Sequence, residues 1–229
     1  MKKKIFCFLI VSFLLVITFN IFSYSKEINE VINFSINLFI KNVFPSLFPM
    51  FVISNLLIAI KTPKFLGNIL TGLLFRNIYK TNNNTLTSSL KTSIKNFYYD
   101  INNTKIFKEL LNGIKKSLNI LINIFGIMTC FLIITKIITL KLNLSPFPSS
   151  ILSGLLEMTT GLKSITSLNI TEKAKLLLST FFISFGGLSV HAQIFSMLDN
   201  YKINYYIFLI SRLIHASLSV FICLFLYKL

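Results

Sequence analysis

Glu157 and Arg212 are charged groups that stand in apolar surroundings. Glu157 stands in Ser153-Gly154-Leu155-Leu156-Glu157-Met158-Thr159-Thr160-Gly161, and Arg212 in Ser211-Arg212-Leu213-Ile214-His215. A carboxylate in hydrocarbon is costly unless it is paired, protonated or hydrated. A buried guanidinium stays ionised and needs a carboxylate or several carbonyls. Glu157 is the only carboxylate within the apolar segments set out below. The two are therefore expected to approach each other, with His191, Gln193 and His215 nearby. Such a pair either ties helices together or binds a solute or a proton; separate placements are the third reading. Ser153, Glu157 and Thr160 or Gly161 share one face at helical spacing. Ser211, His215 and Ser219 form a polar stripe with Arg212 beside it.

A second constellation is Ser184-Phe185-Gly186-Gly187-Leu188-Ser189-Val190-His191-Ala192-Gln193. Paired glycines permit close helix packing, and they also permit local unwinding that frees backbone groups for a ligand. Ser184, Ser189 and Gln193 favour unwinding. The candidate solute-binding residues are Glu157, Gly186, Gly187, Ser189, Gln193, Arg212 and His215. Enzyme chemistry is not expected: the sequence has no P-loop, HExxH or GxSxG, and no Cys/His metal cluster. Cys7, Cys130 and Cys223 lie in apolar stretches and read as small buried hydrophobes. Neither a cofactor nor a metal is expected.

The elements that position these groups follow from composition. Of 229 residues, 54% are hydrophobic and 13% charged, about half the charge of a soluble domain, which is roughly 25%. A soluble globular enzyme could not cover that apolar surface. Disorder fails as well, because 24 Phe favour burial. An all-α, polytopic transmembrane bundle is expected, with about five spans, a proline-kinked helix and a re-entrant half-helix. The net charge of +16 comes from 23 Lys+Arg against 7 Asp+Glu. In this hydropathic setting it reads as cytoplasmic loops against anionic lipid, not as nucleic-acid binding.

Along the chain, Lys2, Lys3 and Lys4 precede an apolar run from Ile5 to about Phe22. It is long enough to be a retained span, although cleavage near Ser25 is the competing reading. Residues 31–60 form a second apolar element containing Pro45 and Pro49. These prolines should leave the carbonyls of Lys41 and Pro45 unpaired and bend the helix. Residues 67–75 are apolar but too short to span. From Lys61 to Lys116 there are ten Lys/Arg and two acids. That segment and the basic N-terminus are both expected inside, with the first two helices as an antiparallel pair. Residues 94–116 fit an amphipathic helix on the inner leaflet. Leu118 to Leu140 is a span. Ser145-Pro146-Phe147-Pro148-Ser149 then breaks the chain, and Ser149 and Ser150 are both candidate N-caps for a half-helix from Ile151 to Gly161. A broken span, 174–198, and a last span, 203–226, complete the order.

Four strings carry a resemblance: NVFPSLFPMFVISNLL (Asn42–Leu57), SGLLEMTTGLKSI (Ser153–Ile165), SFGGLSVHAQIFSML (Ser184–Leu198) and FLISRLIHASLSV (Phe208–Val220). In this order they resemble the YlbJ-type sporulation integral membrane proteins, grouped with the nucleoside-recognition or Gate domain proteins. The resemblance covers roughly residues 30–75 and 110–227. It implies a multi-pass protein of the cytoplasmic membrane of an endospore-forming bacterium, needed for spore formation. The implied activity is solute binding or transport; a non-transporting scaffold in spore envelope assembly is the alternative. The implied partners are the lipid bilayer, a small-molecule solute, and further copies of the chain or other sporulation membrane proteins. Family members are longer, and the elements expected of their first repeat are absent at 76–117. Three segments result: an N-terminal transmembrane pair (1–75), a polar basic cytoplasmic segment (76–117) and a Gate-like transmembrane domain (118–229).

Overall fold

The computed structural model describes residues 2–67, 70, 83–103, 105–198 and 203–227. Among these residues the regular elements are all helical. The α-helices are α1 (Lys2–Ser23), α2 (Ser25–Leu38), α3 (Phe44–Ala59), α4 (Asn83–Asn103), α5 (Ile106–Lys141), α6 (Pro146–Leu156), α7 (Met158–Thr166), α8 (Glu172–Phe185), α9 (Gly187–Met197) and α10 (Tyr205–Leu226). Four runs are long and apolar enough to cross a membrane: Ser25–Ala59, Ile106–Lys141, Glu172–Met197 and Tyr205–Leu226. Phe8–Ser23 is a shorter apolar helix. The chain is thus an all-α protein with several membrane-spanning helices. The apolar patch at 67–75 and the polar stretch up to residue 82 lie largely outside the described residues.

The chain forms two compact units: Met1–Phe39 with Asn123–Leu229, and Ile40–Ile122. These limits fall inside helices, whereas the three-segment division rests on composition. In the first unit α1 and α2 both run antiparallel to the end of α5. Phe13, Val16 and Asn20 line an apolar groove with Ile134, Ile138 and Leu142. Further along, Thr129 Oγ1 donates to Ser35 Oγ at 3.1 Å, and the rings of Phe39 and Phe125 lie 4.8 Å apart. Only Tyr24 separates α1 from α2, and it keeps helical bonds on both sides: Tyr24 N–H donates to Asn20 O and Ile28 N–H to Tyr24 O, each at 2.9 Å. The expected antiparallel pairing of the first two helices is therefore not formed. A helical hairpin needs a loop of about two to five residues, and residues 25–30, expected to link the two helices, are themselves helical.

At the other end of the chain α10 runs antiparallel to α8. Arg212 lies beside Phe185, His215 beside Ser184 and Cys223 beside Thr180. Asn204 starts α10 as an N-cap, its Oδ1 accepting from the N–H of Tyr206 at 2.9 Å. Outward-facing Phe221 and Phe225 are more than 60% exposed, as residues facing lipid would be.

In the second unit the winding loosens into a π-helix over Phe39–Val43, just ahead of Pro45. A turn bonded i→i+5 relieves the carbonyl that the proline ring would otherwise strike. Ser46 Oγ donates to Asn42 O at 2.7 Å and to Val43 O at 3.1 Å, a side chain standing in where backbone bonding is disturbed. Pro45 enters in the first turn of α3, and Pro49 lies within it. α3 meets α5 through Asn55, whose Nδ2 donates to the fully buried Ser117 Oγ at 3.2 Å. Phe65 stacks on Phe97 at 4.2 Å, and Lys61 pairs with Asp100 at 2.8 Å.

Candidate functional site

Two broken helices meet in the first unit. The first break is at Glu157. Its backbone is extended (φ −138°, ψ 111°), and α6 and α7 fold back on each other on either side of it. Gly154 and Gly161 make this hairpin tight, because a side chain at either position would collide with its neighbours. The half-helix expected at 151–161 is thus displaced: α6 starts at Pro146, and the chain reverses at Glu157. Ser149 and Ser150 lie inside α6, and Ser145 is the residue before it. Pro146 and Pro148 fit the first turn because the N–H groups there have no helical partner to lose. Glu157 consequently shares no helical face with Ser153 and Thr160.

Glu157 is 3% exposed, and its carboxylate caps α7. It accepts from the Thr160 N–H at 2.9 Å, from the Thr159 hydroxyl, and from the Thr160 hydroxyl at 3.3 Å. A negative group at a helix N-terminus also complements the helix dipole.

The second break is at Gly186-Gly187, where both residues take positive φ, 89° and 71°. Gly186 ends α8 and precedes α9. The unwinding expected there is formed. It frees the C-terminal carbonyls of α8, and three side chains take them up. His191 Nε2 donates to Phe185 O at 3.0 Å, Arg212 Nε donates to the same oxygen at 3.3 Å, and His215 Nδ1 reaches Ser184 O at 3.4 Å. A cation at a helix C-terminus is the favourable counterpart of Glu157 at the start of α7.

Arg212 and Glu157 therefore do not form the expected pair. The ion pairs among the described residues are Lys61–Asp100 and Lys175–Glu172. Each of the two charges, buried Glu157 and half-buried Arg212, is matched to a helix end because each break leaves backbone groups that hydrocarbon cannot solvate. Glu157 and Arg212 thus serve two different helix ends. Ser189 is buried and accepts from Gln193 Nε2 at 3.2 Å, so these two do share a face of α9. His191 is 2% exposed and ringed by Phe185, Phe208 and Tyr205. Its Nδ1 is buried without a hydrogen-bond partner.

The two breaks touch. A Cβ built on Gly187 would lie 3.1 Å from Met158 N and 3.4 Å from the carbonyl oxygens of both Gly154 and Leu156. Backbone groups from four helix ends are thus gathered around a residue without a side chain. Beside the hairpin, a cleft of about 320 Å³ opens between α2, α5, α6 and α7. Its lining includes Glu27, Glu30, Thr135, Lys136, Ser153 and Thr160. Spacing along the sequence does not single out these charges. Glu27 and Glu30 precede the apolar run that begins at residue 31, and Lys136 is one cation within an otherwise clear span. The signal available was Lys136 between Thr135 and Thr139 in an apolar helix. Among the described residues no group of three or more His, Cys, Asp or Glu is placed to hold a metal ion. No protein-family model, curated protein or solved structure matches this chain.

Proposed function

We propose that this chain is a multi-pass protein of the bacterial cytoplasmic membrane, of the YlbJ-like, Gate-domain type, that serves spore formation by binding or moving a small solute where its two broken helices cross. The observation that carries this reading is the contact of Gly187 with Gly154, Leu156 and Met158. Broken helices at membrane depth recur where transporters bind solutes, because unwound backbone is tolerated only inside protein or against a cavity. Glu157, Gly186, Gly187, Ser189, Gln193, Arg212 and His215 surround that crossing or brace its helix ends. Sidedness rests on charge: the ten cations of 61–116 favour the cytoplasmic side for that stretch.

Complementation tests the reading. Deleting the gene is expected to lower the yield of heat-resistant spores at least tenfold. The wild-type chain restores it, and Arg212→Ala does not. Full rescue by Arg212→Ala, combined with failure of a chain lacking 76–117, would replace solute handling with a scaffold role. Reporter fusions to each loop check the sidedness.

A further inference from the structure

The cleft beside the hairpin holds charges of both signs that do not meet. Glu27 and Glu30 stand at i and i+3, on one face of α2. Lys136 enters the same cleft from α5. Among the described residues none of the three belongs to an ion pair. Charges fastening α2 to α5 would lie within salt-bridge distance of each other, and these do not. Here they stand around about 320 Å³ of space.

The remaining polar lining is hydroxyl, and apart from Ser149 its protons are already committed. Thr135 Oγ1 donates to Phe131 O, Thr139 Oγ1 to Lys136 O, Ser153 Oγ to Ser149 O and Thr160 Oγ1 to Glu157 O. A hydroxyl that has donated its proton offers lone pairs. The cleft is therefore rich in acceptors, with Lys136 as its cationic donor. Lys163 lies near its edge, exposed and 4.5 Å over the ring of Phe34. A ligand that satisfies this lining carries several N–H donors at one end and a single anionic group at the other.

We infer that this cleft binds a small zwitterion of the amino-acid class. Its ammonium faces Glu27, Glu30 and the hydroxyl acceptors, and its carboxylate meets Lys136. The volume suits a solute of about ten non-hydrogen atoms or fewer, at the small end of ligand pockets. The assignment names a solute class for the reading above, and as a binding statement it stands without transport.

The test is calorimetric titration of the full chain in detergent with L-serine, ethanolamine and L-lactate, which carry both charged ends, the amine alone and the carboxylate alone. L-Serine is expected to bind at least tenfold more tightly than either. Glu30→Gln and Lys136→Met, each checked for an unchanged size-exclusion profile, are expected to weaken L-serine at least tenfold. Lys136→Met should also bring L-serine down toward ethanolamine. Absence of L-serine binding, equal binding of ethanolamine, or indifference to Lys136→Met overturns the inference. Glu30 is exposed, so Glu30→Gln remains a usable probe if Lys136→Met fails to fold. L-Serine binding without flux into liposomes would count against transport and leave the cleft assignment standing. Absence of binding in a chain that still supports sporulation would remove the cleft assignment alone.

Discussion

Gly154 and Gly161 face each other across the hairpin so closely that a Cβ built on Gly161 would lie 2.1 Å from the Gly154 Cα. The atoms in the way are backbone, so no side chain can swing aside. Gly161→Ala is expected to pry α6 from α7 and to cost at least the 1–3 kcal/mol or so typical of overpacking. Gly154→Ala meets the Phe182 ring instead, at 2.2 Å. Trimming that ring should therefore relieve it: Gly154→Ala with Phe182→Leu is expected to unfold at a higher temperature than Gly154→Ala alone. The same Phe182 change should not rescue Gly161→Ala. Thermal unfolding in detergent separates the two.

Glu157→Ala removes the acceptor for the Thr159 hydroxyl and the Thr160 N–H at the start of α7, whereas the Thr160 hydroxyl keeps the backbone oxygen of residue 157. The loss of an N-cap alone costs about 0.5–2 kcal/mol, and the buried donors left behind add to it. Glu157→Gln keeps one carbonyl oxygen and is expected to lose less. Equal destabilisation by Ala and Gln, read from melting temperatures, would show that the cap is not what Glu157 contributes.

Arg212→Ala strips a donor from the Phe185 carbonyl at the end of α8. The expected loss is about 0.5–1.5 kcal/mol, the range for one hydrogen bond, because His191 Nε2 still donates to that oxygen. Exchanging charges with Glu157→Arg and Arg212→Glu is expected to restore nothing. The new arginine would face N–H donors on α7, and the new glutamate would face carbonyls on α8. A double variant more stable than both single variants would reinstate a direct pair.

Gly186 and Gly187 both hold left-handed backbone, which costs an L side chain roughly 1–2 kcal/mol. Alanine at Gly186 meets the movable end of Arg212 at 3.0 Å, whereas alanine at Gly187 meets backbone of α6 and α7. Gly187→Ala is thus expected to be the more damaging of the two. Gly186→Asn should be tolerated better than Gly186→Ala, because Asn visits this region more readily. Melting temperatures of the three variants rank them.

Much of the architecture was legible where local chemistry decides it. Length and apolarity marked the spanning helices, and paired glycines marked the break at Gly186. The break at Glu157 was not legible, because nothing in Leu155-Leu156-Glu157-Met158 forbids helix. It follows from the meeting of Gly154 with Gly161 across the hairpin, a contact that periodicity along the chain does not reveal. The same reasoning explains Arg212. Its need for oxygen was evident, but a backbone carbonyl leaves no mark in a sequence, so the visible carboxylate drew the expectation. Tyr24 illustrates a third kind of miss: polar Lys26, Glu27 and Glu30 resemble a linker until α5 is there for α2 to lie against.

His191 carries a consequence through its ring chemistry. The Phe185 oxygen can only receive a proton, so the neutral imidazole keeps its hydrogen on Nε2 and presents Nδ1 as a bare lone pair. Sealed within its aromatic enclosure, this lone pair is an acceptor that the fold leaves unanswered beside the break.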